Sequence, residues 1–245
     1  MTNMPQAEDA MALAKSLPSL GIGLHLNLTE GKPLSKDPRV SQLTNTAGVF
    51  AFSVEKLCLT SLWSPSLRQA IQIELESQIQ WALHHNLKPT HLDSHKHFHC
   101  FPAIFGIVCK LAKQYEISTI RQPLERQHFD QHWPKPNKKG LRRATILRGC
   151  SRIDTILTKA YFKTSELLGI AHTGSINTAY LEAVSLYNSA PIVEIMTHPG
   201  YMKGLDRNHT RLVEHREQEL EALCSKQTKA AFNKPTIQLV HYGQI

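Results

Sequence analysis

The chain has 245 residues, of which 41% are hydrophobic and 20% charged; these ordinary globular proportions leave enough sequence to bury a sizeable core. No apolar stretch approaches the roughly 20 residues needed to span a bilayer, and residues 1–9 lack the basic and apolar regions of a signal peptide, so a cytoplasmic protein with no membrane partner is expected. The formal charge of +8 gathers at Lys135, Lys138, Lys139, Arg142, Arg143, Arg148 and Arg152, without interleaved aromatics or a nucleic-acid signature, which reads as a solvated loop and helix face.

In chain order, Ala7–Lys15 predicts a helix closed by Pro18. From Gly21 to Leu28, Ile22, Leu24, Leu26 and Leu28 alternate with Gly21, Gly23, His25 and Asn27, a period-two pattern that turns His25 and Asn27 away from the apolar face of a strand. Thr29–Ser35 reads as a loop, and residues 36–63 as a loop-rich excursion with a short helix at Val54–Leu59. Ser64 and Pro65 open a helix in which Leu67, Ile71, Leu75, Ile79 and Leu83 recur every four residues, to about His85. A strand at Pro89–Ser94 precedes a helix opened by Phe101-Pro102, with Ile104, Phe105, Val108 and Leu111 on its buried face. Further strands are expected at Ser118–Arg121, Ile192–Met196 and Ile237–Tyr242, with helices around Ile153–Leu168, Thr178–Tyr187 and Arg211–Leu223. Strands alternating with helices predict an α/β fold built on a parallel sheet or barrel, and no linker divides the 245 residues, so a single domain is expected.

Five scattered cysteines with no CxxC pair argue against a disulfide framework or a thiolate zinc cage, and predict mostly small buried thiols. Histidine carries the chemical signal instead. His91-Leu-Asp93-Ser-His95-Lys-His97-Phe-His99 lies at a strand-to-helix junction, where α/β proteins place their sites. An extended run puts its four histidines and Asp93 on one face, whereas a helical turn after Ser94 stacks His95 on His99; either brings two imidazoles to one ion. His25 supplies a further imidazole from another strand end. His198, in the turn Thr197-His198-Pro199-Gly200, is either a proton donor to a leaving group or a turn residue bonded to backbone.

The segments Gly23-Leu-His25-Leu-Asn-Leu-Thr-Glu-Gly-Lys-Pro33, Thr90-His-Leu-Asp-Ser-His95-Lys-His-Phe-His99, Ile120-Arg121-Gln-Pro123 and Met196-Thr-His198-Pro-Gly-Tyr201 resemble the YdjC-like family of carbohydrate deacetylases. That family includes diacetylchitobiose deacetylase and a branch associated with hopanoid biosynthesis, to which Lys96-His97-Phe98-His99 is similar. The resemblance implies a distorted (β/α) barrel of the polysaccharide-deacetylase-like type and hydrolysis of N-acetyl groups on acetylated chitooligosaccharides. It implies a divalent metal ion, magnesium or zinc, with His25 and His95 as metal ligands, Arg121 orienting a catalytic carboxylate and His198 as general acid.

One departure stands out. Family members open with a strand ending in Ala-Asp-Asp-Phe-Gly, which supplies a base and an anionic metal ligand, and no such segment occurs here. The expectation is therefore a single YdjC-like domain over residues 1–245, truncated at its N-terminus and lacking the barrel's first strand and helix, with Asp93 and Glu30 as poor substitutes. Three readings follow: a deacetylase active once that segment is supplied, an inactive remnant binding sugar or metal weakly, and a basic nucleic-acid-binding protein. Oligomeric state is left open.

Overall fold

The computed structural model describes residues 1–126, 133–157, 161, 163–205 and 212–245. Contacts divide them into two units: Met1–Arg121, Ile153–Lys163 and His241–Ile245 form the first, and Gln122–Arg152 and Thr164–Val240 the second.

In the first unit, α1 (Ala7–Lys15) buries only Met11, and β1 (Leu24–Leu26) follows. A 3-10 turn at Pro38–Leu43 is capped by Asp37, which accepts the Arg39 amide. Helix α2 (Val54–Trp63) runs longer than the expected Val54–Leu59, because Ser53 caps its start and nothing before Ser64 breaks it. Ser64 then caps α3 (Pro65–His84), with Pro65 in the first turn, where its missing N–H costs nothing. Leu67, Ile71, Leu75 and Ile79 are buried on its inner face, as the four-residue spacing predicts. Strand β2 (Leu92–Ser94), a 3-10 turn (His95–Cys100) and α4 (Pro102–Gln114) complete the run, and α4 buries Ile104, Phe105, Val108 and Leu111 in the same core.

Strands β1 and β2 pair in parallel with Leu24 opposite Leu92, His25 opposite Asp93 and Leu26 opposite Ser94. The expected strand at Ser118–Arg121 reduces to an isolated bridge between Leu92 and Ile120, whose neighbour Arg121 donates its amide to the Leu92 carbonyl at 2.9 Å. Gly23 has a specific reason to lack a side chain: a Cβ there would lie 2.2 Å from the His91 ring, which packs on Tyr242 with centroids 4.1 Å apart. Gly23→Ala is expected to lower stability by about 2 kcal/mol through overpacking, read as a fall in melting temperature.

In the second unit, α5 (Lys138–Leu157, its last residues belonging to the first unit) turns Gly140, Ala144, Leu147 and Ser151 inward, while Lys138, Lys139, Arg142 and Arg143 are exposed, as the solvated-face reading predicts. Strand β3 (Glu166–Leu168), helix α6 (Thr178–Ser185, capped by Asn177), strand β4 (Val193–Ile195) and helices α7 (Glu214–Cys224) and α8 (Lys226–Phe232) follow. Strands β3 and β4 are parallel, with Glu166 opposite Val193 and Leu168 opposite Ile195. Leu168, Ile176, Tyr180, Leu181, Val184 and Ala222 form an apolar cluster beside them.

Several expectations need correction. The helix expected over Ile153–Leu168 is described over Lys138–Leu157, starting earlier than expected; residues 158–160 and 162 lie outside the described residues, and Glu166–Leu168 is a strand. The basic residues that weaken the apolar periodicity of residues 138–152 are good helix formers on a solvated face, so the pattern hid a real helix. Ile237–Tyr242 forms no strand; Leu239 and Val240 are exposed, and a 3-10 turn at Tyr242–Gln244 closes the chain. Arg211, where the last predicted helix began, lies outside the described residues. Of the five cysteines Cys58 and Cys100 are buried, Cys109 and Cys150 half-buried and Cys224 exposed, so the expectation of mostly buried thiols holds only in part. Among the described residues the sheets are these two parallel pairs, and no helix is long and apolar enough to cross a membrane.

Candidate functional site

The register of β1 on β2 does the first work of assembling the site. With His25 opposite Asp93, the two side chains leave the sheet on the same side, and His25 Nδ1 meets Asp93 Oδ1 at 2.8 Å. Arg121, held beside β2 by its backbone bond to Leu92, ion-pairs with the other oxygen of Asp93 through its guanidinium. Burial alone would raise the Asp93 carboxyl, but the charges of Arg121 and His25 outweigh it and hold the group well below the usual carboxylate range. Asp93 is therefore an ionised hub with one oxygen for His25 and the other for Arg121.

His95 arrives from the other side. The turn after β2 contains two consecutive left-handed residues, Lys96 (φ 56°) and His97 (φ 58°), an uncommon conformation for residues other than glycine. It leaves His95 Nε2 2.8 Å from Glu30 Oε1, with Lys96 Nζ 3.1 Å from the same oxygen. Burial would raise Glu30, yet its bonds to His95 and Lys96 bring it down to about 2. The imidazoles of His25 and His95 end with ring centroids 5.8 Å apart, edge to face. Each thus has one nitrogen against a carboxylate and the other, His25 Nε2 and His95 Nδ1, clear of it.

The loop that presents Glu30 is built by polar residues the sequence patterns left unassigned. Asn27 is fully buried; its Oδ1 accepts the Thr29 and Glu30 amides, and its Nδ2 donates to the Glu30 carbonyl at 2.7 Å. From α3, Gln78 brackets the Asn27 backbone on both sides, and Glu74 accepts the Leu34 and Ser35 amides. Glu74 and Gln78 sit four residues apart on one helix face, fully buried beside the leucine stripe. Two carboxamide- or carboxylate-bearing residues inside an otherwise apolar helical stripe are the signal that could have revealed this brace.

The histidine run does not act as a unit. His99 bolts the turn in place, its Nε2 donating to the Arg121 carbonyl at 2.9 Å and its Nδ1 meeting Ser94 Oγ at 2.6 Å. Burial brings both His91 and His99 down to about 4, which suits neutral structural imidazoles. His97 is buried with its Nδ1 lacking a hydrogen-bond partner. Of the residues expected at the site, the first unit brings His25, His95 and Arg121 together; His198 belongs to the second unit, in the turn after β4.

The donor types suit a divalent cation, and a carboxylate behind each imidazole is the arrangement that orients metal-binding histidines. The fit is partial. Among the described residues no three histidine, cysteine, aspartate or glutamate side chains are grouped so as to enclose a metal ion, whereas a catalytic zinc site commonly has three protein ligands.

Fold and site define a mixed α/β chain carrying a paired-imidazole, carboxylate-backed cluster at the end of a parallel strand pair. The profile of the YdjC-like protein family matches residues 1–234, and the chain belongs to that family. It is 31% identical over 247 residues to a carbohydrate deacetylase of Brevibacillus brevis, covering all of this chain and 86% of the relative. A carbohydrate deacetylase of Clostridium beijerinckii is 29% identical over 254 residues, with the same coverage. Among solved structures, a candidate cellobiose-phosphate cleavage protein from Enterococcus faecalis V583 superposes with a TM-score of 0.74 at 22% identity, over all of this chain and 85% of that one, a likeness of fold.

Proposed function

We propose that this chain is a hydrolase of the carbohydrate deacetylase type, removing N-acetyl groups from acetylated chitooligosaccharide-like sugars with the help of a divalent metal ion. The observation that carries the reading is the pairing of His25 with His95 across two strand ends, each backed by its own carboxylate, in a family whose relatives are named carbohydrate deacetylases. The family's distorted (β/α) barrel is kept as part of this proposal.

In this reading His25 and His95 would hold the ion, zinc suiting imidazole better than magnesium, which prefers oxygen. A bound divalent ion supplies Lewis acidity toward the amide carbonyl, a weak electrophile by itself. Asp93 and Glu30, both held strongly ionised, are poor proton acceptors near neutral pH, so they orient the imidazoles rather than act as bases. Arg121 fixes the Asp93 carboxylate, and the family resemblance gives His198 the role of protonating the departing amine.

The test is acetate release from acetylated chitooligosaccharides by the full chain with added zinc or magnesium. His25→Ala and His95→Ala are each expected to abolish metal binding by calorimetry and to lower acetate release at least a hundredfold, a loss on the order of 3 kcal/mol. No release by the wild type at any metal concentration would overturn the enzyme reading. The partial ligand set supports a second reading, a weak metal and sugar binder without turnover; zinc binding that depends on His25 and His95 with no acetate release would favour it.

A further inference from the structure

The turn carrying His198 is held to helix α7 by its backbone. His198 donates its amide to Glu219 Oε2 at 2.5 Å, Gly200 donates to the Arg216 carbonyl at 3.2 Å, and Met202 donates to Glu217 Oε1 at 2.8 Å. Alternate amides of an extended segment thus point at one helix. Between the first two lies Pro199, which has no amide to give and restricts His198 to extended backbone.

Glu219 is the unusual member. Glu217 and Arg216 are half-buried, whereas Glu219 is 1% exposed and shares its helix face with the buried Ala222 of the apolar cluster. Its second oxygen, Oε1, makes no close hydrogen bond, as is true of Nδ1 of His215 one turn earlier on the same helix, while the Gly174 amide and the Arg216 and His215 charges lie near the carboxylate. Burial raises the Glu219 carboxyl above its usual range. A buried side-chain acceptor that reaches a backbone amide holds that amide firmly, because releasing it would leave the acceptor buried and unpaired.

We propose that Glu219 is a positioning residue for His198: its carboxylate clamps the His198 amide, and with Pro199 fixing the backbone, the imidazole is left with only its side-chain rotations. This rests on the proposed role of His198 as proton donor and extends it, since a donor must be held within hydrogen-bond reach of the leaving nitrogen.

The experiment compares Glu219→Gln, which keeps an acceptor oxygen at the same reach, with Glu219→Met, which matches its length and has none. Two readouts are taken on the full chain: hydrogen exchange of the His198 amide, and steady-state acetate release. For E219M, amide exchange is expected to accelerate at least tenfold and kcat to fall about tenfold to a hundredfold with KM within twofold. E219Q is expected to restore most of both. Should E219M fail to fold, Glu219→Asp, one methylene short of the amide, replaces it with the same expectations. Wild-type exchange in E219M, or faster exchange with an unchanged kcat, overturns the proposal. Absence of acetate release by the wild type sinks the deacetylase reading instead, and the exchange comparison then decides by itself whether Glu219 holds His198.

Discussion

Replacing Asp93 by asparagine is expected to lower acetate release about tenfold to a hundredfold in kcat/KM and to weaken zinc binding by a similar factor, the usual cost of losing a carboxylate behind a ligating imidazole. The reason lies in donor counting. Asp93 gives one oxygen to His25 Nδ1 and the other to the Arg121 guanidinium. Asparagine has a single acceptor and turns an NH2 toward whichever partner is left, setting donor against donor. Asp93 and Arg121 are both largely shielded, with side chains 7% and 16% exposed, so breaking the pair is expected to cost about 2–3 kcal/mol of stability as well. The sign of the pH dependence separates this from a general packing defect. The Asp93 carboxyl is depressed in the folded chain, so its contribution is fully present above its unfolded value and lost as pH falls through the folded one. Asp93→Asn should therefore be less stable than wild type at pH 7 and converge on it in acid, measured as melting temperature against pH.

An opposite pH dependence is expected from Asp154. This residue lies on the inner face of α5 at 1% exposure, and its Oδ1 has no hydrogen-bond partner. Burial pushes its carboxyl up to about 8, so it is mostly protonated in the folded chain at neutral pH and ionised in the unfolded one. The folded state then binds the extra proton between the unfolded value and about 8, and stability falls as pH rises through that window. Asp154→Asn removes the ionisation and is expected to stabilise the chain at pH 8 by on the order of 3 kcal/mol, roughly 6–12 °C in melting temperature for a chain of this size. Near pH 4 the gain should vanish. Equal melting temperatures for variant and wild type at pH 8 would remove Asp154 as a source of alkaline sensitivity. Cys109 feels the same environment, its thiol pushed up to about 12 by burial and by the nearby Asp154 charge, so reactivity toward thiol reagents at pH 8 should be low in the wild type.

Much of the chain's local structure was determined by sequence alone. The Ser64-Pro65 start of α3, its leucine and isoleucine stripe, and the strands carrying His25 and Asp93 follow from capping chemistry and periodicity, which act between residues close in the chain. The four family-like segments likewise single out His25, His95, Arg121 and His198. The tertiary structure decided which partners those residues meet. Only the β1–β2 register puts His25 rather than Asn27 opposite Asp93, and only the left-handed pair Lys96-His97 sends His95 to Glu30. Asp93 and Glu30, read from sequence as poor metal ligands, back the two imidazoles, and Glu219 entered no sequence pattern at all. These contacts join residues 65 or more apart for His95 and His25, and 21 apart for His198. Local propensity carries no information across such separations, because side-chain pairing at that range depends on strand register and loop geometry fixed by the packed core.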